Sequence, residues 1–276
     1  MVVQLINDDG PESPVLEPFI DGLLSCSWVK ELRVVIPSTD RSWIGSALSR
    51  KGKVSVKAKR ISKCDALLVD GTPADCANLG IYSLYSTRPD LVLSGPNLGQ
   101  NAGGPFTIAS GTLGGALMAF LTGTRAIAIS SELTPEIWDE FLGNTDSSEF
   151  KDRTVQWQKI ASTSVNIIER SLQAEIHNLG AVININLPWG ADPSSEIVVT
   201  KIQGGTMPSF FARGGDGTYH HHFTFPEFDS NFTCPVDHDC LVQKKISISM
   251  LKPMHATLDF SKETEQEILI KLNEKK

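Results

Sequence analysis

No apolar run in the chain reaches the roughly eighteen residues that a membrane-spanning helix requires, so no span is expected. No basic leader with a small-residue cleavage site precedes the first strand pattern, so no secretory signal is expected either. Positive charge is short: 25 Lys and Arg stand against 32 Asp and Glu, a formal net charge of −7. That balance argues against general nucleic-acid binding, which favours basic surfaces. It leaves small phosphorylated substrates open, because one bound metal can dominate a local field. Cysteine is scarce, and its five copies at 26, 64, 76, 234 and 240 are odd in number and scattered. Reduced thiols in a cytoplasmic protein fit that distribution better than a disulfide framework. The sequence has no internal repeat, low-complexity tract or obvious flexible linker.

What is there is an ordinary globular composition, 41% hydrophobic and 21% charged over 276 residues, long enough for a sizeable core. The chain is organised around its first stretch, Val2-Val3-Gln4-Leu5-Ile6-Asn7-Asp8-Asp9-Gly10-Pro11. It reads as an apolar strand that stops at two adjacent carboxylates. Neighbouring strand residues point to opposite faces, so Asp8 and Asp9 meet at one place only if the chain turns, and Gly10-Pro11 is a turn signal. Two carboxylates about 4 Å apart repel by roughly 4 kcal/mol at an effective dielectric near 20. A hard divalent cation is the simplest compensation. The plainer alternative has Asp8 capping the next helix and Asp9 solvated.

Leu16, Phe19, Ile20, Leu23 and Leu24 recur at helical spacing, and Leu32 to Ile36 is a compact strand closed by Pro37. That βαβ opening predicts a parallel sheet covered by helices. Further strands are expected around Val54 to Ala58 (half exposed), Ala66 to Val69, Leu91 to Leu93, Ala126 to Ile129, Ala181 to Leu187 and Ile246 to Met250, the last with outward serines. Thr72-Pro73 matches a helix N-cap followed by proline, and that helix is expected to run through Leu84. Asp75 suits the helix start. Ser94 to Gly104 is expected to be a shaped loop, and Ser110 to Gly115 a glycine-rich turn whose free N–H groups face an anion. Trp157, Ile160, Ala161, Val165, Ile168 and Leu172 mark the clearest amphipathic helix. Residues 203–240 read as an irregular arm and Lys262 to Lys276 as a charged terminal helix. The division expected is a core over 1–190 and an accessory arm, strand and helix over 191–276.

Asp8/Asp9, Ser42, Asn97/Asn101 and Ser110/Thr112 each follow a separate strand, and in a doubly wound sheet such loops converge on one edge. Their carboxylate, amide and hydroxyl oxygens suit Mg²⁺ or Mn²⁺, and a phosphate could bridge that metal and the helix near Thr112. The set points to hydrolysis of a phosphate ester. Taken singly, Asn97 and Asn101 are equally readable as turn residues, and the glycines of 110–115 as close-packing residues. An NAD-type enzyme is disfavoured, because the first strand ends in Asn-Asp-Asp-Gly rather than a glycine fingerprint.

Asn7-Asp8-Asp9-Gly10, Gly71 to Cys76, Ser94-Gly95-x-Asn97-x-Gly99-x-Asn101, Ser110-Gly111-Thr112 and Asn184-Ile185-Asn186-Leu187-Pro188 occur together in an order that resembles the SurE family of phosphatases. The late Ile246 to Ser249 strand is similar too, so the resemblance spans most of the chain. It implies a Rossmann-like three-layer α/β core with a mainly parallel sheet, and an extended C-terminal arm used in oligomerisation. It implies a metal held by Asp8, Asp9, Ser42 and Asn97, with Asp8 and Asp9 as the catalytic pair. It further implies a phosphate surrounded by Asn101, Ser110, Gly111 and Thr112. The activity implied is Mg²⁺- or Mn²⁺-dependent hydrolysis of nucleoside 5′- and 3′-monophosphates by a homodimer or homotetramer. Broad acid phosphatase or exopolyphosphatase activity, and a non-catalytic nucleotide-binding module, are the alternatives. Ala102 to Phe106 departs from bacterial members, which often carry an acid there, and the arm around His220, His221 and His222 has no matching segment. Those histidines read as exposed arm residues, as a metal cluster or as a phosphate-facing proton donor. Cys234, His238 and Cys240 lack the paired spacing of a structural zinc site. Lys51 to Arg60 reads as a solvated basic face.

Overall fold

In the computed structural model, residues 1–141 and 153–252 are described, and the charged helix expected from Lys262 onward falls outside them. The chain opens with β1 (Val2–Ile6), α1 (Leu16–Leu24), β2 (Glu31–Pro37), β3 (Val56–Ile61), β4 (Cys64–Val69) and α2 (Pro73–Tyr82). It continues through β5 (Leu91–Leu98), α3 (Gly104–Ala109), α4 (Gly111–Leu121), β6 (Arg125–Ser131), α5 (Pro135–Phe141), α6 (Thr154–Gln173) and β7 (Val182–Leu187). After β8 (Ile197–Thr200) come the short β9 (Gly205–Thr206), β10 (Phe211–Arg213), β11 (Tyr219–His221) and β12 (Glu227–Phe228). The described part ends with α7 (Asp237–Val242) and β13 (Ile246–Leu251).

The nine-stranded sheet has the order β3-β4-β2-β1-β5-β6-β7-β13-β8. The strands from β4 to β7 in that order run parallel; β3 pairs antiparallel at one end, and β13 pairs antiparallel with β7 at the other. This is the mixed α/β architecture, dominated by a parallel sheet, that the βαβ opening implies. The strand order reverses direction at β1 and β5, and ligands of open α/β sheets bind where the carboxyl ends of such strands diverge.

The two faces of the sheet are filled differently. Val3, Leu5, Val34, Ile36, Ile127, Ile129, Ile183 and Ile185 meet Phe19, Ile20 and Leu23 of α1 and Trp157, Ile160 and Ile168 of α6. The opposite face presents Ile6, Val35, Val92, Ala126 and Ala128 to Cys76, Ala77, Leu113, Ala116 and Ala119. Small residues there let α4 lie close: a Cβ on Gly115 would collide with Ile6 Cδ1. α2 starts with a full capping box, in which Thr72 Oγ1 accepts from Asp75 N and the Asp75 carboxylate accepts from Thr72 N.

Several local expectations are corrected. β5 runs on to Leu98, so the expected loop from Ser94 begins only at Gly99. Gly95, at φ +113°, permits this, because any Cβ there would strike Ile129 O. α2 stops at Tyr82, short of Leu84, and Val54 lies outside β3. Ser247 and Ser249 of β13 are buried, not outward: Ser247 Oγ bonds Thr200 Oγ1 at 2.7 Å, and Ser249 Oγ lies 3.5 Å from Asn184 Nδ2. Residues 203–235 are less irregular than expected, forming the antiparallel pairs β10–β11 and β9–β12.

Candidate active site at the β1–β5 divide

Beyond β1, Asn7 Nδ2 donates to Gly10 O at 2.9 Å and closes a turn that Gly10 completes at φ +77°. Arg41 N donates to Asp8 O at 2.7 Å and fixes the 38–42 loop beside it. Asp8 and Asp9 are thereby buried together, 3% and 7% exposed. Asp8 Oδ1 accepts from Thr112 Oγ1 at 2.6 Å, and Asp9 Oδ2 accepts from Leu98 N at 2.9 Å. Asp9 Oδ1 is buried with no hydrogen-bond partner among the described residues.

Burial pushes the Asp8 carboxyl up to about 6, helped by the charge of Asp40 and opposed by the Thr112 hydroxyl. Burial and then the Asp8 charge push Asp9 well above the ordinary carboxylate range. The nearby Arg41 is turned elsewhere: its Nε donates to Gly71 O at 3.2 Å and its guanidinium lies 3.5 Å from Asp70. A buried acid pair without a counter-charge is costly, and protonation or a cation relieves it.

Asp8, Ser42, Asn97, Asn101 and Ser110 line one cavity of about 510 Å³; Asp9, Gly111 and Thr112 do not line it. Ser42 N donates to Asp40 Oδ1 at 2.8 Å and its Oγ lies 3.2 Å from Asp40 Oδ2. Asn97 Nδ2 donates to Gly99 O at 2.7 Å, which leaves the amide oxygen as the group it offers the cavity. Ser110 is the N-cap of α4, its Oγ accepting from Leu113 N at 3.0 Å. Thr112 spends its proton on Asp8, and Asn101 Nδ2 donates to Ser130 Oγ at 2.8 Å and lies 3.3 Å from Thr112 Oγ1. Among the described residues no three His, Cys, Asp or Glu side chains group to hold a metal. The Asp8 carboxylate and the amide and hydroxyl oxygens of Asn97 and Ser42 on the cavity, with the Asp9 carboxylate next to Asp8 in the chain, are hard oxygen donors of the kind that suits Mg²⁺ or Mn²⁺.

The cavity walls were not visible in the sequence. Trp43, Phe106, Trp138, Phe223 and Phe225 line them, with Gln100, Glu132 and His238 as polar points. Trp43 packs edge-on to Phe106 and Phe223, and Trp138 to Phe223. His238 stacks on Phe228 at 3.9 Å, its Nδ1 lies 3.3 Å from Gln100 Oε1, and burial lowers its pKa. The only signal in the sequence was the Phe- and His-rich composition of 203–240, which carries no register. His220, His221 and His222 are exposed and do not line the cavity.

A family model described as "Survival protein SurE" matches residues 3–207. The chain belongs to the SurE family. Proteins named 5′-nucleotidase SurE are similar to it. The one from Methanopyrus kandleri is 41% identical over 48% of this chain and 49% of its own length. The one from Methanococcus vannielii is 32% identical over 72% of each. A crystal structure of a SurE protein from Aquifex aeolicus matches 99% of both chains with a TM-score of 0.69 at 26% identity. The SurE match ends at residue 207, so Phe223, Phe225 and His238 of the cavity wall lie outside it.

Proposed function

We propose that the chain is a divalent-metal-dependent phosphomonoesterase that hydrolyses nucleoside 5′-monophosphates, and 3′-monophosphates, to nucleoside and phosphate. The observation that carries the reading is the buried Asp8–Asp9 pair, with no counter-charge against it among the described residues, under a cavity whose floor offers oxygen and amide groups. Its SurE relatives, named as 5′-nucleotidases, support the substrate class.

Asp8, Asp9, Ser42 and Asn97 would hold Mg²⁺ or Mn²⁺. When bound, the cation would neutralise the acid pair and polarise a phosphate oxygen. The chain's own groups do the rest. Thr112 donates to Asp8 and holds that carboxylate in one orientation. The first N–H groups of α4, at Gly111 and Thr112, lack intrahelical partners and place a positive dipole end beside the phosphate position. The Asn101 amide borders the same space. Trp43, Trp138 and Phe223 exclude water and give a nucleobase ring faces and edges to pack on. In the reaction a water oxygen joins phosphorus, the ester P–O bond breaks, one proton of that water passes to the leaving nucleoside oxygen and the other stays with the phosphate. We read residues 203–235, where Phe211 and Tyr219 are exposed, as the arm through which a homodimer or homotetramer forms. Light scattering of the purified protein checks that reading.

The test is phosphate release from a panel: nucleoside 5′- and 3′-monophosphates, p-nitrophenyl phosphate and polyphosphate, with Mg²⁺ or Mn²⁺ and with a chelator. Cation-dependent release from the 5′-monophosphates is expected. Because the wall is mostly aromatic, an aryl ester is the rival substrate, and faster turnover of it would favour a broad phosphatase. Nucleotide binding with no release under any cation would overturn the hydrolase and leave a binding module.

A further inference from the structure

β7 runs between β6 and β13 in the interior of the sheet, yet two of its residues, Asn184 and Asn186, are asparagines with no exposed surface. They alternate with Ile183, Ile185 and Leu187, which fill the α1–α6 side of the core. They therefore face the small-residue side, where the neighbouring strand β6 carries Ala126 and Ala128. A buried amide is unfavourable unless its hydrogen bonds are made. Here the bonds converge on one loop residue. Asn186 Oδ1 accepts from Asn101 N at 2.7 Å. Asn184 Nδ2 donates to Asn101 O at 3.0 Å, and Asn186 Nδ2 lies 3.4 Å from the same oxygen. Both the N–H and the C=O of residue 101 are thus held by side chains of a buried strand 83 and 85 residues away in sequence.

From the held residue a chain of bonds leads to the acid pair. Asn101 Nδ2 donates to Ser130 Oγ and lies 3.3 Å from Thr112 Oγ1, and Thr112 Oγ1 donates to Asp8 Oδ1 at 2.6 Å. Asn184 Oδ1 has no partner among the described residues, so the one useful act of this buried amide is its donation toward the loop and Ser249.

We infer that Asn184 and Asn186 are positioning residues for phosphate-ester hydrolysis: they clamp the peptide of Asn101 and thereby set the orientation of the Asn101 and Thr112 side chains against Asp8. The inference rests on the proposed phosphomonoesterase reading. Neither asparagine lines the cavity, so neither touches substrate. Their contribution is rigidity, transferred from the sheet to a glycine-flanked loop, and displacements of an ångström at reacting groups are felt strongly in rate.

The experiment compares wild type with Asn186→Ala, Asn184→Ala and the isosteric Asn186→Asp, whose carboxyl, when protonated, again presents one acceptor and one donor. Turnover of a nucleoside 5′-monophosphate at saturating Mn²⁺, Mn²⁺ binding by calorimetry and thermal unfolding are measured on each. The expected result is a kcat lowered roughly ten- to a hundredfold in the alanine variants, as for other outer-shell partners. KM and Mn²⁺ affinity are expected to change far less, and Asn186→Asp to keep more kcat than Asn186→Ala. Alanine variants with wild-type kcat overturn the inference. So does a loss of kcat that only follows the loss of folded protein and is equal in Asn186→Asp. With an active wild type, either result falls on the positioning role alone; a wild type that releases phosphate from no ester removes the parent reading as well.

Discussion

The floor and the walls of the cavity are built on opposite principles. The floor is Asp8, Asn97, Asn101 and Ser110, placed just past β1, at the end of β5, in the loop that follows it and at the start of α4, and each tied by hydrogen bonds. The walls are Trp43, Trp138, Phe223 and Phe225, carried by loops, a short helix and the 203–235 segment, and held by ring packing. Directional bonds fix atoms to fractions of an ångström, whereas ring contacts tolerate sliding. On the proposed function the difference would separate chemistry from selection: the floor would decide whether an ester bond breaks, and the walls which ester is admitted.

The sharpest way to break that division is Asp8→Asn. On the proposed function it lowers cation-dependent phosphate release by roughly a thousandfold or more, on the scale of losing a central electrostatic group. The far-ultraviolet circular dichroism stays unchanged. The variant is also expected to unfold at a higher temperature than metal-free wild type, because it removes one of two buried charges that repel. Loss of fold instead would assign Asp8 to structure.

Thr112→Val comes next. It removes the 2.6 Å bond to Asp8 and, with it, the hydroxyl that lowers the Asp8 pKa. A kcat loss of roughly ten- to a hundredfold is expected. The acid limb of the pH–rate profile moves to higher pH. An unmoved limb would detach Thr112 from the floor.

The walls predict a different pattern. Trp43→Ala or Phe223→Ala removes a ring face, and base–aromatic stacking is worth about 1–3 kcal/mol per base. KM for nucleoside monophosphates should rise by the corresponding factor of about five to a hundred and fifty, while kcat/KM for a small alkyl phosphate stays near wild type. Equal losses on both substrates would merge wall and floor into one unit.

The smallest effect is in stability. In the unfolded chain Asp8 ionises near its ordinary 3.8, whereas in the folded chain it does so at about 6. Between those values the folded state holds the extra proton, so raising the pH drains stability from the metal-free protein, and the loss is complete above the higher value. The stability gap between metal-free wild type and Asp8→Asn should therefore widen from pH 4 to pH 6.5 in thermal melts. Mn²⁺ should narrow it at the upper end and have no effect at the lower end, where protons hold the carboxylates.

Much of the floor was legible because its signals are local. A strand that stops at two acids and Ser110 before an apolar helix each carry their own explanation within a few residues, as Thr72-Pro73 with Asp75 does for α2. The inward serines of β13 were misjudged because alternation shows which residues share a face, not what lies opposite; Asn184 and Thr200 supply the polar partners. β5 was cut short because Gly95 and Pro96 are breakers by type, while here the glycine is what lets the strand pass Ile129. The walls were illegible for a deeper reason. Trp43, Phe106 and Phe223 meet across long sequence separations, without periodicity, and only the closed fold defines them.

Asp237 gives the floor and the walls a common hinge pin. Its carboxylate, fully buried, accepts from Gly103 N at 2.9 Å, from Gln203 N at 2.8 Å and from His238 N at 2.9 Å, while Gly104 N donates to Gln203 O. His238 belongs to the wall, and Gly103 lies two residues from Asn101. One carboxylate thus harnesses the aromatic surface to the acid-bearing one. On the proposed function, a guest that pressed on His238 would bear on the same carboxylate that anchors the loop beside the acid pair, whereas one that met only Trp43 or Phe223 would not.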